Sequence, residues 1–260
     1  MTSTYSVAET FAELEPKIQE LWDTDFRLVD VEYIDEQWVG VFNEATNANA
    51  YVTSGNFTEF SQKITAKWDE GLDLIDIEYA DGSWVGVFEG ISILGGTAYS
   101  FAEDFTQLEV EIQERWDEFD NLTNIEYANG SWVAIFDSNA LRNGYWSSDS
   151  FTGLETTIQE RWDEGFDLIG VEYAEGTWVG VFEDSPYISS AYTISSDRQE
   201  FLKEFRQYRA DGYSLVDFEQ GEDILFGVYE KRTVSEAEEL QDDILAGQIA
   251  TDLIVNSISI

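Results

Sequence analysis

The polar and apolar positions of this chain repeat in blocks. The segments FAELEPKIQELWD, FTEFSQKITAKWD, FTQLEVEIQERWD and FTGLETTIQERWD align on Trp22, Trp68, Trp116 and Trp162, spaced 46 to 48 residues apart. Apolar side chains stand at relative positions 0, 3, 7 and 11 of each, as in Phe151, Leu154, Ile158 and Trp162. That spacing predicts the stripe of an amphipathic helix lying on a sheet. A worn fifth copy, FLKEFRQYRADGYSLVDFE, carries Arg209 in place of the tryptophan. Gly71, Gly165 and Gly212, in DEG and ADG, fall where a helix ends on a left-handed residue. The acidic residues beside them lack the oxygen spacing of an EF-hand loop, so they read as helix stops.

The period then switches to alternation. LIDIEYADGSWVGVF, LTNIEYANGSWVAIF and LIGVEYAEGTWVGVF predict β-hairpins turning at Asp81-Gly82, Asn129-Gly130 and Glu175-Gly176. Pairing Tyr79 with Trp84 puts Ile75, Ile77 and Tyr79 on one face with Trp84, Gly86 and Phe88. Leu74, Asp76 and Glu78 then share the other face with Val85 and Val87. The aromatic face is expected to meet the helix. The small residue inside WVGVF (Gly40, Gly86, Gly180 and Gly227, with Ala134 in the third copy) is expected to make room for the helix tryptophan. One more strand precedes each helix, marked by Tyr5, Tyr51, Tyr99, Tyr145 and Tyr192.

The unit is therefore strand-helix-strand-strand. Five such units fill residues 1–233, at about 4–48, 49–96, 97–142, 143–189 and 190–233. A block of this size cannot bury its own apolar side, so the expected fold class is an α/β repeat in which five βαββ units shelter one another. The first unit looks like the middle ones rather than like a cap, which favours a ring over an open array. The pattern resembles the five-fold αβ-propellers of the pentein group, whose unit is a circular permutation of this one. That resemblance implies a closed pseudo-five-fold αβ-propeller. Residues 234–260 leave the repeat and predict an acidic helix followed by an apolar strand around Leu253 to Ile260. Such a strand is expected to complete a sheet edge of its own fold or, alternatively, to augment a neighbouring chain.

Composition removes whole classes of function. The chain has 54 acidic and 13 basic residues, a net charge of −41, which disfavours nucleic acid and membranes as partners and attracts cations and basic protein surfaces. Cysteine and histidine are both absent, so disulfides, Cys/His zinc sites, cysteine nucleophiles and imidazole proton shuttles are excluded. The opening MTSTYSVAETFAELE has neither the basic start nor the apolar stretch of a leader, and no run of about 18 apolar residues occurs. A soluble, cytoplasmic location is expected.

One polar position recurs in all five copies: Glu32, Glu78, Glu126, Glu172 and Glu219, on the hairpin face away from the helix. Two residues earlier stand Asp30, Asp76, Asn124, Gly170 and Asp217. In a ring, equivalent residues lie on one circle, and clustered carboxylates then require protons or a hard cation such as calcium. Glutamate is rarely buried unpaired, so the residue type by itself favours a solvated sheet face instead. A carboxylate-based hydrolase is the remaining possibility, but no pair is set apart from its equivalents, and no catalytic residue is assigned. The basic residues Arg198, Lys203, Arg206 and Arg209 read as an ion-pairing surface for a neighbouring acidic unit.

The stretch IQERWDEGFDLIGVEYAEGTWVGVF is similar to the W/G-rich repeat domain found C-terminal in plant casein-kinase-1-like kinases and in cyanobacterial proteins. The likeness covers residues 10 to 230 and implies a non-catalytic interaction or sensing module. The kinase signatures themselves, a Gly-rich loop, VAIK, HRD and DFG, do not occur. The functional expectation is a binding or scaffolding repeat protein that engages a protein partner or a second copy of itself. Cation binding through the recurrent glutamates is the alternative.

Overall fold

A computed structural model describes residues 2–90, 96–118, 120–138, 140–186 and 188–232. The expected helix and strand of residues 234–260 lie outside the described residues. Within them the predicted unit occurs five times. The first comprises β1 (Ser3–Ala8), α1 (Phe11–Trp22), β2 (Phe26–Ile34) and β3 (Gln37–Glu44), and the second β4 (Asn49–Ser54), α2 (Phe57–Asp69), β5 (Asp73–Ala80) and β6 (Ser83–Glu89). The third comprises β7 (Thr97–Ala102), α3 (Phe105–Asp117), β8 (Asn121–Ala128) and β9 (Ser131–Asp137). The fourth comprises β10 (Asn143–Ser148), α4 (Phe151–Asp163), β11 (Asp167–Ala174) and β12 (Thr177–Glu183). The fifth comprises β13 (Ile188–Ser195), α5 (Arg198–Ala210), β14 (Ser214–Gly221) and β15 (Ile224–Arg232).

Each unit is a three-stranded antiparallel sheet with its last strand in the middle, as in β1-β3-β2. Local chemistry sets the elements. Thr10, Asn56, Asp104, Ser150 and Asp197 each accept a backbone N–H of the first helical turn, satisfying donors that the helix leaves unpaired. The hairpins turn through two left-handed residues, Asp81 (φ 49°) and Gly82 (φ 73°) in the second unit, the backbone twist that two-residue hairpins require. The first and fifth units make the same turn without glycine, at Asp35-Glu36 and Glu222-Asp223.

Tyr79 pairs with Trp84 as expected, but the face assignment before it is corrected by a β-bulge. The register shifts between Leu74 and Asp76, so Leu74 pairs with Phe88 and Ile75 is the extra residue. Leu74 therefore lies on the helix face, fully buried with Phe60, Ile64, Ile77 and Trp84, while Ile75 turns to the neighbouring unit's core. The same shift occurs at Leu28/Asp30, Leu122/Asn124, Leu168/Gly170 and Leu215/Asp217.

Five buried clusters hold the units together, and each spans two of them. The helix face of the first unit (Leu14, Ile18, Leu28, Trp38, Phe42) is covered by Val85 and Val87 from the far face of the second. The second is covered by Val133 and Ile135, the third by Val179 and Val181, and the fourth by Phe226 and Val228. The fifth, built on Phe201, Phe205, Leu215 and Phe218, is covered by Val39 and Val41 of the first. Correspondingly β2 packs on β5, β5 on β8, β8 on β11, β11 on β14, and β14 on β2.

The glycine inside WVGVF has a different neighbour from the one expected. An added Cβ at Gly86 would lie 3.1 Å from Phe60 Cζ, and at Gly180 3.2 Å from Leu154 Cδ1, so the close approach is to the helix residue one turn after its start. The helix tryptophan reaches the next unit instead. Trp22 Nε1 donates to Asn49 Oδ1 at 2.8 Å and its ring lies 5.9 Å from Tyr51. Trp68 does the same to Thr97 and Tyr99, and Trp162 to Ser190 and Tyr192. Two of the basic residues of α5 also behave differently from expectation. Lys203 pairs with Glu200 of its own helix, and Arg198 reaches Gln37 of the first unit, an amide rather than a carboxylate. No helix among the described residues is long and apolar enough to cross a membrane.

Candidate functional site

The bulges decide where the recurrent acids go. After the extra residue, alternation resumes with the aspartate and glutamate positions on the face opposite the helix, Asp76 paired with Val87 and Glu78 with Val85. The strands that carry them, β2, β5, β8, β11 and β14, are the ones that pack on each other from unit to unit. The five glutamates consequently converge.

Burial overturns the solvated-face expectation. Glu32 is 6%, Glu126 3%, Glu172 5% and Glu219 7% exposed, and Glu78 is partly buried. Carboxylate oxygens of Glu32, Glu78 and Glu126 all lie within 4.8 Å of one another. Glu172 accepts side-chain hydrogen bonds from Glu126 and Glu219, contacts that require those two carboxyls to carry protons. What surrounds the glutamates is the equivalent strands of the neighbouring units, which no single strand's sequence specifies.

The aspartate position forms a second, unequal level. Asp76 Oδ2 accepts the Val31 N–H of the preceding unit at 3.0 Å, and Asp217 Oδ2 accepts that of Val171 at 2.5 Å. In the third unit Asn124 donates its amide to Glu126 Oε1 at 2.8 Å. The fourth unit has Gly170, and Asp217 fills the vacated space: a Cβ there would lie 3.2 Å from Asp217 Oδ2. Asp30 Oδ2 is buried with no hydrogen-bond partner, as is Asp76 Oδ1. Sequence reading found this level as a broken circle and assigned it no role; the recurrence two residues before each glutamate was the available signal.

The electrostatics are one-sided. Burial, followed by the charges of Glu219, Glu78, Asp30 and Glu172, holds the Glu32 carboxyl well above the usual carboxylate range. Asp30, Glu78, Glu126 and Glu219 are raised for the same two reasons, burial first. Asp76, Glu172 and Asp217 are pushed up to about 7, chiefly by burial and moderated by hydrogen bonds they accept. Every charge acting on these groups is acidic. Such a cluster offers hard oxygen donors to a proton or to a cation. No family model matches the chain, and no curated protein matches it.

Proposed function

We propose that this chain is a non-catalytic repeat protein, closed as a pseudo-five-fold αβ-propeller, that holds a hard divalent cation of the calcium class among Glu32, Glu78, Glu126, Glu172 and Glu219. The observation that carries the reading is the meeting of Glu32, Glu78 and Glu126, from three successive units, with carboxylate oxygens within 4.8 Å. Calcium–oxygen distances of about 2.3–2.6 Å place oxygens on opposite sides of one ion roughly 5 Å apart, so three oxygens within 4.8 Å of one another can share a single ion. Magnesium keeps several waters and is seldom held in an all-protein cage, which favours calcium in a buried cluster of carboxylates. Closure is supported by the packing of β14 on β2 and by the shared core of Phe205, Leu215, Val39 and Val41.

Equilibrium dialysis against calcium at pH 7.5 tests the proposal. Saturable binding that diminishes in E78Q/E126Q is expected, and absence of saturable binding at millimolar calcium would contradict it. The net charge of −41 favours a second reading, engagement of a basic protein surface by the exterior. Capture of a polycation such as polylysine that weakens steeply with salt is its expected outcome, and salt-independent capture or none would oppose it.

A further inference from the structure

We propose that a second, non-equivalent cation site lies where the fifth unit meets the first, formed by Asp30, Asp217 and Glu32. It rests on the reading that the glutamate cluster binds a hard cation, and it extends that reading from one ion to two.

The first observation is geometric. One carboxylate oxygen from each of Asp30, Glu32 and Asp217 lies within 4.8 Å of the other two, and all three residues are at least nine-tenths buried. Glu32 belongs to both trios, so one carboxylate bridges the two positions. The second observation is independent of that cluster. Asp76 Oδ2 and Asp217 Oδ2 each accept a backbone N–H of the preceding unit, from Val31 and Val171 respectively, and Asp76, which lies outside this trio, keeps Oδ1 unpartnered. Asp30, only 3% exposed, leaves Oδ2 without any partner. A buried carboxyl oxygen with no partner is costly, and the neighbouring charges that act on Asp30 are acidic, so a cation bound there would satisfy it.

The site is asymmetric because the repeat is. Units three and four contribute Asn124 and Gly170 at the aspartate level, so carboxylates remain only in the first, second and fifth units. The Asn124 amide donates to Glu126 and Asp217 leans over Gly170, which leaves Asp30 and Asp217 as the pair that faces Glu32. An ion held there is liganded by the first and last units at once and acts as a clasp between the two ends of the repeat.

Calcium stoichiometry of the chelator-treated full chain at pH 7.5, measured by equilibrium dialysis, tests the site. The parent is expected to bind two equivalents, D30N and D217N one each, and E78Q/E126Q one. Circular dichroism establishes that each variant folds, and the parent's own stoichiometry decides the matter where a variant does not. A parent that binds one equivalent, or one that binds two and keeps both in D30N and D217N, overturns the second site while leaving the glutamate site intact. A parent that binds none overturns both.

Discussion

The backbone N–H of Leu215 donates to Ser3 Oγ at 2.7 Å, joining the last unit to the first across 212 positions of sequence. The same bond recurs between consecutive units, from Leu28 to Asn49 Oδ1, from Leu74 to Thr97 Oγ1 and from Leu168 to Ser190 Oγ, at 2.8 to 2.9 Å. A residue at the start of the second, third and fifth units thus satisfies a backbone donor of the unit before it, and Ser3 does so for the fifth, whereas Asn143 of the fourth unit donates to the Leu122 carbonyl instead. Removing that acceptor leaves Leu215 N–H unpaired in a buried site. Ser3→Ala is expected to cost about 1–3 kcal/mol, read as a lowered urea midpoint with an unchanged slope, and Ser190→Ala a similar amount. A neutral Ser3→Ala beside a destabilising Ser190→Ala would mean that the ends are not joined as the interior units are.

The turns at Asp35-Glu36 and Glu222-Asp223 hold non-glycine residues in left-handed conformations, with Glu36 at φ 60° and Asp223 at φ 63°, where the three middle units use glycine. Left-handed backbone is unfavourable for L-residues with a Cβ. Glu36→Gly and Asp223→Gly are therefore expected to raise stability by about 0.5–1 kcal/mol each, and thermal denaturation of the single variants checks it. A loss of stability in both would contradict the turn geometry.

The repeat, its hairpin turns and the helix stripe were legible because each rests on local chemistry: the Trp-to-Trp spacing, Asp81-Gly82, and Phe151, Leu154 and Ile158 on one helix face. The face of Leu74 was not, because strict alternation sends it with Glu78, and only the bulge before Asp76 returns it to Phe60 and Ile64. Trp22 looked like a partner of its own sheet, yet it bonds Asn49 in the next unit, a contact between units that a single copy does not encode. The glutamate position was visible as a recurrence. Its burial was not, since a strand with Val on one neighbour and Glu on the other reads as half-wet until the adjoining units are placed over it.

In calcium-free protein at pH 8, an ionised Glu172 sits buried beside Glu126 and Glu219. Glu172→Gln keeps the shape and removes the charge. It is expected to stabilise the calcium-free chain by on the order of 1–3 kcal/mol, given a carboxyl pushed up to about 7. A destabilised variant in calorimetry under those conditions would show that the carboxylate is better satisfied than its neighbours allow.

The thermal midpoint of chelator-treated protein, measured from pH 8 to pH 5 with and without millimolar calcium, tests the buried carboxylate cluster most directly. Asp76, Glu172 and Asp217 titrate at about 7 when folded and near 4 when unfolded, so the folded chain binds protons more tightly. Their contribution is complete below about pH 4 and is lost as the pH rises through 7, so the calcium-free midpoint climbs on acidification from pH 8 to pH 5. Calcium is expected to raise the midpoint at pH 7.5 by substituting for those protons, and to do progressively less toward pH 5. A midpoint that calcium leaves unmoved at pH 7.5, and that does not rise on acidification without it, would contradict the account.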